Sequence, residues 1–99
     1  MAENAIAEGT VMLHPVRWKI LNSLKAKGEE MYIDQIATVV GADRRLVSVH
    51  LGILQEHGFL TSEFKIVQEP HSKGKAGRFF KLTTKFDETR SKMAKAIEP

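Results

Sequence analysis

Arg44 and Arg45 directly follow Asp43 in the stretch GADRRLVSVHL, residues 41–51, where an apolar periodicity marks the start of a helix. The first turn of a helix carries partial positive charge, so exposed cations there give up roughly 0.3–1 kcal/mol each. Guanidinium groups at that place have a chemistry that offsets the loss. They bond bidentately to guanine O6 and N7, or to phosphate oxygens. On a helical wheel Arg44, Arg45, Ser48, Val49 and Gly52 fall away from an apolar stripe of Val47, Leu51 and Leu54. Gly52 has no side chain and would let a ligand approach the helix backbone. The competing explanation is a solvated face with Arg44 or Arg45 paired to Asp43 or Asp34. His50 stands beside this face, either as a phosphate or base partner or as a cap on the edge of the core.

A second cationic group lies further on. From Lys65 to Lys81 the cations Lys65, Lys73, Lys75, Arg78 and Lys81 stand against Glu69 alone, a local excess of four. His71, Ser72, Lys73 and Lys75 in the loop PHSKGKAG, with Arg78 directly after it on the hairpin, suit phosphate or minor-groove contact. The plainer alternative is a solubilising loop.

Other chemistries find little support. There is no cysteine, which excludes disulfides and thiolate metal sites. His14, His57 and His71 form no i, i+4 pair, so neither a metal nor a cofactor is expected. No Gly-rich phosphate loop follows a strand, and no Ser–His–acid arrangement stands out by spacing, so the chain does not read as an enzyme.

These residues need elements to hold them. Pro15 suits the first position of a helix whose apolar positions Val16, Ile20, Leu21 and Leu24 follow helical spacing, with Gly28 as its stop. Residues 2–13 predict a short helix interrupted near Gly9–Thr10, and EEMYI a short strand. Asp34 is placed to cap a helix over 35–40 that ends at Gly41. Asp43 is placed to cap the next, which Gly58 ends. FLTSEFKIVQE and RFFKLT have the aromatic and β-branched content of two strands around the basic loop. A last helix runs from Thr84 to Ile97.

Length and charge frame this order. Ninety-nine residues suit one domain, residues 1–99, with its core in 11–84. A 42% apolar and 27% charged composition is that of an ordinary water-exposed globular chain. No apolar run approaches the ~20 residues that span a bilayer, so no membrane contact is expected. The start MAENAIAEG lacks the basic and apolar parts of a secretion signal, which points to the cytoplasm. A net charge of +3 is compatible with nucleic acid.

The segment IDQIATVVGADRRLVSVHL meets several spacing constraints of a helix-turn-helix at once. Ala37 is the small residue where the second helix crosses the first, Gly41 turns the chain four positions later, and Val47 faces back. Ile36, Val40 and Leu51 supply core. The two-stranded hairpin with a basic loop directly after this unit makes a winged helix. The fold class is therefore mainly α with a small β-hairpin wing.

At these residues the sequence resembles the arsenic-repressor (ArsR) family of winged-helix transcription regulators. HPVRWKILNSL looks like the family's first long helix. LVSVHLGILQEHGFL is similar to its recognition helix and exit through Val47, Ser48, His50, Leu51, Leu54 and Gly58, and GRFFKLT looks like the strand leaving the wing. The likeness spreads over roughly residues 14–84. There are two departures. The helix before the recognition helix has no thiol and the last helix no histidine, against metal sensing; and Val49 stands where members often carry a polar or basic residue.

The resemblance implies a homodimeric, sequence-specific binder of duplex DNA acting as a repressor. Helix 44–57 would enter the major groove, and wing 70–78 would lie on the backbone or in the minor groove. Alternatives are a winged helix for protein–protein contact within a transcription assembly and a sequence-indifferent, chromatin-like binder. Trp18 lies opposite the core stripe of its helix, and Phe86, Met93 and Ile97 make a narrow seam on the last. Either these two helices cover each other within one chain, or residues 85–97 with Trp18 form the dimer interface, which is the expectation adopted.

Overall fold

Pro15 begins the first long helix, α1 (Pro15–Lys27), in the computed structural model, which describes residues 8–67 and 74–97. His14 caps it, its Nδ1 accepting the Val16 N–H at 3.2 Å, and Gly28 closes it in the left-handed region at φ 73°. α1 buries Ile20, Leu21 and Leu24. The preceding segment is helical over residues 8–12 and turns at Leu13, so the expected interruption at Gly9–Thr10 is absent. Gly9 lets the Met93 side chain pack directly on its backbone. A Cβ on it would lie 2.1 Å from Met93 Sδ.

A two-residue strand, β1 (Met31–Tyr32), leads into α2 (Ile33–Val40). Asp34 does not cap this helix, which starts one residue before it. Tyr32 takes the cap position, and its N–H donates to Gln35 Oε1 at 3.1 Å. Asp34 therefore stands in the first turn, an acid where the helix dipole favours one. Gly41 ends α2 at φ 73°, its N–H donating to the Ala37 carbonyl at 2.9 Å. Asp43 then occupies the cap position of α3 (Arg44–Glu56), but its side chain makes no capping bond. Val47, Leu51 and Leu54 are fully buried, the apolar stripe at i, i+4 and i+7.

The chain leaves α3 through Gly58, at φ 83°, into a hairpin of β2 (Leu60–Ile66) and β3 (Ala76–Leu82). Both neighbours of β3 are antiparallel, giving the strand order β1-β3-β2. The base of the hairpin is anchored in the core by Leu60 and Phe80, and at its outer end Val67 is buried while Phe64 and Ile66 are exposed. The helix α4 (Lys85–Ile97) follows, its first N–H donating to the Thr83 hydroxyl at 3.2 Å.

One cluster joins these elements: Met12, Ile20, Leu21, Leu24, Ile36, Val47, Leu51, Leu54, Phe59, Phe80 and Phe86 belong to it. Trp18 meets Phe86 edge-on, with ring centroids 5.9 Å apart at 72°. Phe86 is almost wholly buried, and Met93 packs on Gly9. The second surface that Trp18 called for is thus α4 of the same chain.

Candidate nucleic-acid interface

The crossing of α2 and α3 decides which side chains of α3 are free. Its stripe is turned into the core, so Arg44, Arg45, Ser48, Val49 and Gly52 are all exposed. They form two rows. Arg44 and Ser48 face the hairpin, where with Gly52 they line one wall of a cleft of about 790 Å³. Arg45 and Val49 lie further round, on the outermost part of the helix. A Cβ on Gly52 would meet nothing within 4 Å, so the helix surface there is open.

Arg44 is not free. Its Nε donates to Asp34 Oδ1 at 2.8 Å, with both side chains more than half exposed. The alternative of an arginine paired to Asp34 holds for Arg44. Among the described residues Arg45 has no carboxylate partner. The pairing does not remove Arg44 from use, because Nε occupies one donor and a guanidinium has five. It fixes the direction in which the remaining donors point.

The opposite wall of the cleft comes from the hairpin: Phe64, Lys75, Ala76, Gly77 and Arg78. Phe64 pairs with Arg78 across the strands, and the Arg78 guanidinium lies 4.9 Å over the Phe64 ring. Such stacking holds a guanidinium in place while leaving its edge donors available. Phe64 is 66% exposed. Sequence reasoning missed it because alternation places it on the same strand face as Leu60, which is buried. Only its distance from the core, four residues out along the hairpin, separates the two.

The cationic excess of the hairpin is smaller than the sequence suggests. Lys65 bonds Glu30, just before β1, and Glu63 at 3.2 Å. These hydrogen bonds, Glu30's first and Glu63's second, raise the Lys65 pKa above its ordinary value. Lys65 is therefore committed to two acids, leaving Lys75, Arg78 and Lys81 as exposed cations of the described hairpin. His71, Ser72 and Lys73 lie outside the described residues.

His50 is on the other side of α3. It is 7% exposed, its ring centroid is 4.4 Å from that of His14, and its Nδ1 has no partner among the described residues. Burial first, then the nearby His14 and Arg17, lower its pKa. The structure therefore places His50 at the core edge, away from the face of Arg45 and Val49. Of the seam on α4, Phe86 is core and Met93 half-buried, leaving Ile97 outward at 74% exposure. Phe86 has no surface left for a second chain.

A helix with two arginines at its exposed start, opposed across a cleft by a cationic hairpin, is the arrangement of a winged helix-turn-helix. Residues 14–62 match the model of the arsR family of bacterial regulatory proteins. The chain belongs to the ArsR-like regulators. As such it is a DNA-binding transcription regulator, with α2 and α3 as its helix-turn-helix and the β2–β3 hairpin as its wing. Solved structures that superpose on this ArsR-like chain include two described as transcriptional regulators. A possible transcriptional regulator from Methanosarcina mazei Go1 superposes with a TM-score of 0.66 at 16% identity, over 96% of this chain and 75% of its own. The transcriptional regulator PA4135 gives 0.59 at 20% identity, over 95% and 71%. Among curated proteins none matches the sequence. Among the described residues of the ArsR-like chain, no helix is long and apolar enough to cross a membrane, and no three metal-ligating side chains converge.

Proposed function

We propose that this ArsR-like protein is a sequence-specific repressor that binds duplex DNA as a homodimer in the cytoplasm, without catalysis or a cofactor. The observation that carries the reading is the cleft between Arg44–Ser48 and Lys75–Arg78. A phosphate strand lying in it would meet cations on both walls, while the row of Arg45 and Val49 turns toward base edges. Contacts to phosphate set register and contacts to bases carry sequence. Arg44, held by Asp34, serves the first task, and Arg45 the second. The wing, with His71, Ser72, Lys73, Lys75 and Arg78, follows the backbone or the minor groove.

The chain acts as one domain over residues 1–99, and the second copy docks on the outer face of α4. Ile97 supports this, with the half-exposed edge of Met93 one turn before it, while Trp18, also half-exposed, packs on Phe86 at the start of the helix. A repressor then works by occupying two half-sites at once. The test is the affinity for an operator recovered from random duplex DNA, against a scrambled duplex of the same length, over a series of salt concentrations. Specific binding should exceed non-specific binding by about 10³-fold or more. Equal affinity for both duplexes would leave a sequence-indifferent binder, and no affinity a protein-contact module.

A further inference from the structure

Val49 is an apolar side chain, 59% exposed, on the outer row of α3 with Arg45, between the polar side of Arg44, Ser48 and Gly52 and the 44% exposed Leu46. Its position is not forced by packing, since the stripe of Val47, Leu51 and Leu54 already closes the core beneath it. We infer that Val49 reads the 5-methyl group of a thymine, one or two base pairs from the base that Arg45 reads. This rests on the DNA-reading assignment of α3 made above.

The argument is one of chemical fit. Each base edge in the major groove offers carbonyl, ring-nitrogen or amino groups, and thymine alone among them adds a methyl. A β-branched hydrocarbon pressed on a carbonyl or amino group takes its water away and returns no hydrogen bond, which costs affinity. Pressed on the thymine methyl, it buries apolar surface on both partners. Val49 thus selects for thymine and against the other bases at one position.

Geometry gives the spacing. Val49 is one turn beyond Arg45 on the outermost row of α3, a rise of about 6 Å along the axis at 1.5 Å per residue. Base pairs are stacked about 3.4 Å apart, so the two side chains address positions one or two base pairs apart. Gly52, with open space where a Cβ would be, keeps the next turn from holding the helix off the groove. Arg44 is fastened to Asp34 and Arg45 is not, so Arg45 is the arginine free to approach a base beside Val49.

The test replaces each thymine of the selected half-site in turn by deoxyuridine, which removes the methyl and leaves the pairing edge intact. Affinities are measured for the wild-type chain, Val49→Ala and Arg45→Ala. For the wild type one thymine should stand out, its replacement weakening binding about fourfold, the equivalent of about 0.8 kcal/mol for one buried methyl-sized group. Val49→Ala should bind the thymine and uracil duplexes within about 1.5-fold of each other. Because Val49 is exposed, the variant should keep the wild-type circular dichroism. If no replacement affects the wild type, or if the same loss persists in Val49→Ala, the thymine assignment is overturned. Arg45→Ala separates this failure from the larger one. If it still loses specific affinity, the DNA-reading face stands without the thymine contact; if no duplex is enriched in the first place, both fall.

Discussion

Arg45→Ala should do two opposite things, weaken specific DNA binding and leave the fold as stable as before or slightly more so. Arg45 stands in the first turn of α3, where a cation is disfavoured by roughly 0.3–1 kcal/mol, and no carboxylate among the described residues compensates it. Removing it should therefore change folding stability by no more than about 1 kcal/mol, in the stabilising direction. Specific binding should fall by ~1–3 kcal/mol if the side chain bonds a guanine bidentately, roughly fivefold to 150-fold. Arg44→Ala differs because it also breaks the ion pair with Asp34. That pair is exposed on both sides and contributes at most about 1 kcal/mol, so its removal and the relieved dipole nearly cancel. Urea denaturation followed by circular dichroism gives the stability arm, and fluorescence anisotropy with a labelled operator gives the binding arm. Unaltered affinity in the double variant Arg44→Ala with Arg45→Ala would refute the reasoning. So would a loss of stability above about 2 kcal/mol, since that would make the arginines structural.

Lys75→Ala with Arg78→Ala should weaken binding to all duplexes alike and make the salt dependence shallower by about one unit for each phosphate no longer neutralised. A loss confined to the operator would contradict a backbone role for the wing. Stability should fall on acidification, because His50 is held below its ordinary 6.5 by burial and by the nearby His14 and Arg17. The unfolded chain then binds the proton first, so the His50 contribution is complete above about pH 6.5 and is lost as pH falls through its folded value. In His50→Gln this slope should disappear from a pH series of urea midpoints. Phe86→Ala should cost about 3–5 kcal/mol as a core truncation, whereas Ile97→Asp should leave the fold intact and yield monomers in sedimentation. A dimer that survives Ile97→Asp would move the interface elsewhere. Zinc, cadmium or arsenite should not release DNA through a dedicated site. Tight stoichiometric metal binding by calorimetry would reverse that expectation.

Much of the architecture is legible in the sequence because its boundaries are chemical. Pro15 fits the first turn of a helix and not its interior, and Gly28, Gly41 and Gly58 adopt the left-handed conformation that ends one. The stripe of Val47, Leu51 and Leu54 fixes which side of α3 is buried, and so which side carries Arg44, Arg45, Ser48, Val49 and Gly52. Features that depend on how elements cross are not legible. His50 lies on the border of the stripe, and only the approach of His14 makes it a buried residue. Whether Arg44 or Arg45 takes Asp34 depends on the angle between α2 and α3. Lys65 reads as a free cation because its acids are Glu63, just before the basic stretch, and Glu30, thirty-five residues away. The seam on α4 reads as unpartnered because its partners, Trp18 and Gly9, are far away in sequence.

Selection of bound sequences from random duplex DNA tests the central claim most directly. A homodimer with α3 of each copy in the major groove should enrich an inverted repeat. Its half-sites should be centred about one helical turn apart, ~34–36 Å, or a multiple of it. Enrichment of a single unrepeated half-site would contradict the dimer. No enrichment at all would contradict sequence reading by Arg45 and Val49, and with it the account of α3 as the element that recognises DNA.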